Sequence, residues 1–199
     1  VKASVIYRNQ TIYGLLMRAL YGRHYTDRYR AVAELIPAGS SVVDVCCGPP
    51  VLYADHLRHK NVDYTGLDLN SGFVTGVTRA GGRGMLWNVH ADTPLPKADI
   101  VVMQASLYHF LPDPEPVVTR MSAAARTRVI VAEPVRNLAS SDNRLVALLA
   151  RRFTNAGEGQ EAERFTEASL DEFMSRYGSK VLTAELIAGG REKVYVLSV

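Results

Sequence analysis

From Ser41 to Glu133, short β-branched runs alternate with stretches suited to helices, and this alternation constrains the fold more than any other feature of the chain. Parallel strands buried on both faces read as near-continuous apolar runs, and each needs a crossover of a dozen or more residues before the next can lie beside it. The spacing predicts strands over Ser41–Val45, Asp63–Leu67, Gly84–Asn88, Ile100–Gln104 and Arg128–Glu133. Helices are expected between them, over Val51–His59, Ser71–Ala80 and Pro114–Ala125. No fixed period recurs, so a solenoid is excluded. The expected class is α/β, a three-layer, doubly wound, mostly parallel sheet.

The two ends depart from that rhythm. Ser141 or Asp142 can cap a helix reaching about Phe153, Thr154 to Glu163 reads as a polar loop, and Thr166 starts a further helix that Gly178 ends. Val181–Ile187 and Lys193–Val199 read as strands joined by Ala188, Gly189, Gly190 and Arg191, a short glycine turn that favours an antiparallel hairpin. The sheet is thus expected to finish on an antiparallel C-terminal strand. Upstream, Ile12, Leu15, Leu16, Ala19 and Leu20 mark a helix over Thr11–Leu20, and a second covers Thr26–Leu35 before Pro37 and Gly39 stop it. Residues 1–39 are therefore expected to form an N-terminal helical cap or lid on a domain spanning 40–199. Tyr7, Tyr13, Tyr21, Tyr25 and Tyr29 place half of the ten tyrosines in this leader. Two readings stand: core packing with a wet hydroxyl, or an aromatic cover over a pocket.

Composition narrows the classes. With 199 residues, 47% hydrophobic and 22% charged, the chain is long enough to bury roughly 70% of its unfolded surface and needs no metal or cross-link to fold. Cys46 and Cys47 are adjacent, a poor geometry for bridging, so a reducing, cytoplasmic compartment is expected. No apolar run approaches the ~20 residues that cross a bilayer, and VKASVIYRNQ lacks the apolar stretch of a signal peptide. The net charge of +3 is concentrated in residues 1–39, where six basic residues face Asp27 and Glu34. That excess is smaller than the basic stripe of a nucleic-acid binder and argues against such a partner. His56 and His59 beside Asp55 read as a solvated helix face, and no metal is expected.

The chemistry concentrates in VVDVCCGPP, Val42 to Pro50, a buried strand that ends in a tight turn into a helix. Such a turn lies in the crevice where doubly wound sheets bind ligands. About 20 residues on, YTGLD ends in Asp68, where a carboxylate can accept from both hydroxyls of a ribose. A nucleoside-containing cofactor follows. A dinucleotide fits poorly, because Pro49 and Pro50 carry no N–H to hold a pyrophosphate and the G-x-G-x-x-G glycines are absent. A nucleoside with an amino-acid tail asks less of the turn.

At this point the chain resembles the class I S-adenosylmethionine-dependent methyltransferases, which share a Rossmann-like sheet and a first motif written hhD-h-G-x-G-x-G. VVDVCCGPP places Asp44 as the motif acid and Gly48 as the middle glycine, with Cys46 and Pro50 where outer glycines usually stand. YTGLDLN matches the second strand and its ribose acid, NVHADTPLP the loop whose acid contacts adenine, DIVVMQASLYHF the fourth strand and its loop, and RVIVAEP the fifth. The resemblance implies S-adenosylmethionine as cofactor, with S-adenosylhomocysteine as product. It also implies cofactor contacts at Asp44, Cys46, Cys47, Gly48, Asp68, Leu69, Asp92, Thr93 and Gln104. Cys46 adds a side chain where the backbone usually passes close to the methionine part, and Pro49-Pro50 stiffens the turn.

Methyl transfer from a sulfonium to an oxygen or nitrogen nucleophile is an in-line displacement that needs positioning more than covalent machinery. His109, after the fourth strand, is the candidate general base, although a structural histidine is an equal reading; Glu133, after the fifth, is a second candidate. Tyr13, Tyr21, Tyr25 and Tyr108 are the candidate acceptor contacts. The fourth-strand loop reads QASLYH rather than an Asn-Pro-Pro-Tyr type, which favours a small-molecule acceptor, acidic or aromatic to suit the basic, tyrosine-rich leader. The alternatives are an inactive cofactor-binding interaction module and an RNA or protein methyltransferase.

Overall fold

The computed structural model describes residue 22 and residues 24–88, 93–136 and 164–199. Seven strands form one sheet: β1 Ser41–Val45, β2 Asp63–Asp68, β3 Arg83–Leu86, β4 Ala98–Gln104, β5 Ala125–Pro134, β6 Val181–Ile187 and β7 Glu192–Ser198. Their order is β3-β2-β1-β4-β5-β7-β6. The first five neighbours run parallel, and β7 runs antiparallel to both β5 and β6, so the expected reversed strand is present. From β1 the chain builds outward to β3, then returns and builds the other way from β4. That direction changes between β1 and β4, at whose carboxyl ends doubly wound sheets bind ligands.

Among the described residues, four α-helices flank the sheet: α1 His24–Glu34, α2 Ser71–Arg79, α3 Glu115–Ala124 and α4 Glu167–Ser175. The period-two alternation of each strand sends its apolar side chains to both faces. Val43, Val45, Val101, Met103, Val129, Val131 and Leu197 meet α3 and α4 through Val118, Met121, Leu170 and Met174. On the other face, Val42, Ile100, Val102, Ile130 and Val196 meet Tyr25, Tyr29, Val32 and Ile36 of α1 and its end, together with Leu52 and Leu57. Local signals set the helix starts. The Asn70 side chain accepts the Gly72 N–H at 2.8 Å, and Thr166 and Ser169 form a reciprocal capping box at the expected place.

The structure corrects several expectations. Helix α1, part of the segment expected as a cap, is one layer of the sandwich, packed in the same core as β1, β4 and β5; residues 1–21 lie outside the described residues. Its apolar stripe needs a partner, and the sheet face supplies one. The expected helix over Val51–His59 is a π-helical segment, Leu52–Leu57, followed by a 3₁₀ turn over Arg58–Lys60. Its i to i+5 spacing sets Leu52 and Leu57, both buried, on one face. Strand β5 begins at Ala125, directly after α3, three residues before the expected Arg128. Strand β3 spans Arg83–Leu86 rather than Gly84–Asn88. Gly84 is required there, because a Cβ would lie 2.1 Å from the Val74 carbonyl oxygen of α2. The expected helices over Thr11–Leu20 and from Ser141 or Asp142 to Phe153, and the loop from Thr154 to Glu163, lie outside the described residues.

Candidate functional site

The turn after β1 is stitched to the tip of β2. Cys47 N–H donates to the Leu67 carbonyl at 3.0 Å, Gly48 N–H donates to Asp68 Oδ2 at 3.0 Å, and Asn70 N–H donates to Asp68 Oδ1 at 2.8 Å. Gly48 takes φ +59°, the left-handed region that glycine enters at little cost. Each Asp68 oxygen keeps a second lone pair for a ligand. Burial raises the Asp68 pKa, while the N–H groups of Asn70, Gly48 and Leu69 pull it back. Leu69, just beyond, is 65% exposed.

Asp44 lies deeper, buried at the end of β1. Tyr64 Oη donates to its Oδ2 at 2.6 Å, whereas Oδ1 is buried without a hydrogen-bond partner among the described residues. Burial pushes this carboxyl up to about 7, against the Tyr64 bond and with a further rise from Asp68. One strand over, Val102 is the register partner of Asp44. Gln104, two residues on and on the same face, has a buried Nε2 that also lacks a partner. The ends of β1 and β4 thus present one unused acceptor and one unused donor.

The two thiols are packing groups. Burial pushes Cys46 up to about 12 and raises Cys47 well above the usual thiol range, so neither ionises near neutrality. Cys46 packs against the α3–α4 side of the core and Cys47 against the α1 side, where a Cβ on Gly66 would lie 3.0 Å from its Sγ.

After β4 the chain turns through Ala105 at φ +48°, and Ala105 N–H donates to the Ala132 carbonyl at 2.7 Å. Glu133 Oε1 accepts from both Ser106 N–H and Leu107 N–H, each at 2.7 Å. Glu133 is 0% exposed. In this structure its Oε1 holds the β4 loop, while Oε2 is buried with no hydrogen-bond partner among the described residues. Burial pushes it up to about 7, opposed by the loop N–H groups. His109 reaches the surface, yet its ring is crowded against Tyr108 at 4.0 Å between centroids. Loss of hydration, then the positive charge of Arg164, pushes the imidazole down to about 4.

Other expected residues scatter. Tyr25 is 4% exposed and lies edge-on to Tyr29 at 5.5 Å, in the core under α1. Thr93 is exposed, and its carbonyl accepts from Arg120 Nη2 at 2.6 Å. Asp92, Tyr13 and Tyr21 lie outside the described residues. Sequence reasoning missed the buried ion pair of Arg28 Nε with Glu192 Oε1 at 3.0 Å, which joins α1 to the start of β7. Its signal was an arginine on the apolar stripe of Tyr25, Tyr29 and Val32. Among the described residues, no cluster of three or more His, Cys, Asp or Glu could hold a metal, and no helix is long and apolar enough to cross a membrane.

A parallel sheet that reverses direction at β1 and β4, with a tight turn tied to a carboxylate at the tip of β2, defines an α/β protein with the methyltransferase fold. Residues 17–184 match the family described as a methyltransferase domain, and the chain belongs to that family. Its seven-stranded, mostly parallel sheet is the Rossmann-like fold of methyltransferases. No curated protein matches significantly. Three solved structures share the fold. The methyltransferase in complex with the Haloferax volcanii Trm112 activator is 13% identical, with 100% of this chain and 98% of that one covered and a TM-score of 0.70. Magnesium protoporphyrin IX methyltransferase from Synechocystis PCC 6803, with bound SAH, is 17% identical, with 96% of each chain covered and a TM-score of 0.66. The 16S rRNA methylase ArmA is 15% identical, with 95% of each covered and a TM-score of 0.58. Acceptors that differ this much leave the acceptor class open.

Proposed function

We propose that the chain transfers a methyl group to an oxygen or nitrogen nucleophile of a small-molecule acceptor by in-line displacement. The observation that carries this reading is the pair of unused buried atoms, Asp44 Oδ1 and Gln104 Nε2, beside the Asp68 carboxylate. Their chemistry fits the cofactor. Asp44 would accept from the ammonium of its amino-acid tail and Gln104 would donate to the tail's carboxylate. Asp68 would accept from the ribose hydroxyls, with Leu69, Asp92 and Thr93 toward the adenine. When bound, S-adenosylmethionine supplies a sulfonium-activated methyl carbon. The chain's own residues then orient the acceptor and exclude water. Glu133 holds the β4 loop, Tyr108 offers a wall, and His109, neutral at physiological pH, can accept a hydrogen bond or, weakly, a proton. Tyr13 and Tyr21 remain proposed acceptor contacts.

Calorimetry with S-adenosylhomocysteine, followed by labelled methyl transfer to a library of small acceptors, tests this reading. Asp68→Ala is expected to weaken cofactor binding by about 1.5 to 3 kcal/mol, the scale of charge-assisted hydrogen bonds. An unchanged dissociation constant in the folded variant would remove Asp68 from the site. Absence of any heat with the wild-type protein would remove the function.

A further inference from the structure

With the ribose at Asp68 on β2 and the amino-acid tail at Asp44 and Gln104 on β1 and β4, the methyl group must leave toward β4 and β5. The surface on that side is the β4 loop. It is a built platform: the buried Glu133 carboxylate holds its backbone through two 2.7 Å hydrogen bonds, and the rings of Tyr108 and His109 pack at 4.0 Å upon it. Arg164 lies against this platform, its guanidinium carbon 4.0 Å from the Tyr108 ring centroid. Three exposed arginines sit beside carboxylates, Arg30 with Asp27 at 2.7 Å, Arg126 with Asp99 at 3.4 Å and Arg176 with Glu115 at 3.3 Å. Among the described residues, none lies within ion-pair distance of Arg164. Glu133, which anchors the loop, turns Oε1 to the N–H groups of Ser106 and Leu107.

A cation resting on an aromatic face gains about 0.5 to 2 kcal/mol, less than it gains from a charge-assisted, bidentate pair with a carboxylate. An incoming anion can therefore claim it. Resting on the methyl-transfer reading above, we propose that the acceptor is a small organic anion whose oxyanion pairs with Arg164 beside Tyr108 and His109. The lowered His109 pKa, to which Arg164 contributes, agrees with a positive field at this position.

The test uses the protein loaded with S-adenosylhomocysteine and three probes that share one ring and differ in charge: benzoate, benzamide and benzylammonium. Calorimetric titration is expected to show benzoate binding about tenfold or more tightly than benzamide, with benzylammonium weakest and with added salt eroding the margin. Arg164→Gln is expected to erase that margin while S-adenosylhomocysteine affinity stays within about twofold, and Arg164→Lys to keep part of it. The proposal is overturned if benzoate does not outbind benzamide, or if the margin survives in Arg164→Gln. Failure of wild-type protein to bind S-adenosylhomocysteine would instead overturn the methyltransferase reading, so the two failures are distinguishable.

Discussion

Cys46 stands where the methyltransferase motif usually has its first glycine, and its backbone takes φ +57°. The left-handed region costs a residue with a Cβ about 1 to 2 kcal/mol. Cys46→Gly should relieve that strain and forfeit some packing, for a net rise in melting temperature of about 2 to 4 °C with cofactor affinity kept or improved. A lower melting temperature would show that the thiol's contacts outweigh the strain. Asp44 gives a pH-dependent counterpart. Its folded pKa of about 7 lies above the unfolded value near 3.8, so between those values the folded state holds a proton that the unfolded state has released. The stability it contributes is complete at low pH and is lost as pH rises through 7. Asp44→Asn should therefore raise the melting temperature of the cofactor-free protein more at pH 8 than at pH 5, while weakening S-adenosylhomocysteine binding at both. An equal shift at the two pH values would contradict the assignment. The positions of Asp44 and Asp68 were legible as acids at strand ends. The Tyr64 bond was not, because it depends on how β1 and β2 align.

At the scale of elements, the β4 loop depends on one side chain from the neighbouring strand. Glu133→Leu leaves the buried N–H groups of Ser106 and Leu107 without an acceptor and is expected to cost about 2 to 4 kcal/mol. Glu133→Gln keeps a carbonyl oxygen in place and should cost clearly less. Urea unfolding and hydrogen exchange at the two amides measure the difference, and equal losses would argue against the clamp. Elements whose start or stop is local were legible: the Thr166 cap, the start of α2 at Ser71 and the glycine turn between β6 and β7. The π-helical turn after Pro50 and the early start of β5 were not. They answer to what lies across the sheet, namely the face that Leu52 and Leu57 must share and the immediate run from Ala124 into Ala125.

Across the whole molecule, periodicity announced a layered sheet without saying which helix covers which face, and α1 was therefore expected as a lid. What fixes it as a layer is its apolar stripe together with the buried Arg28–Glu192 pair. Breaking a buried ion pair from one side leaves a charge without compensation, so Arg28→Met should cost about 3 to 5 kcal/mol. Removing both charges, as Arg28→Met with Glu192→Leu, should return much of that loss. A double variant no more stable than the single one would place the energy of this contact in packing rather than charge.

The position of β7 between β5 and β6 bears on how the molecule is made. It is the last of the seven strands to be synthesised, yet it fills an interior place. Until Glu192–Ser198 emerge, β5 offers an open, Val- and Ile-rich margin to any passing polypeptide, and β6 has no neighbour. Nascent or prematurely terminated chains would thus carry a sticky seam that the finished protein hides, and newborn copies would depend on chaperone shelter far more than mature ones.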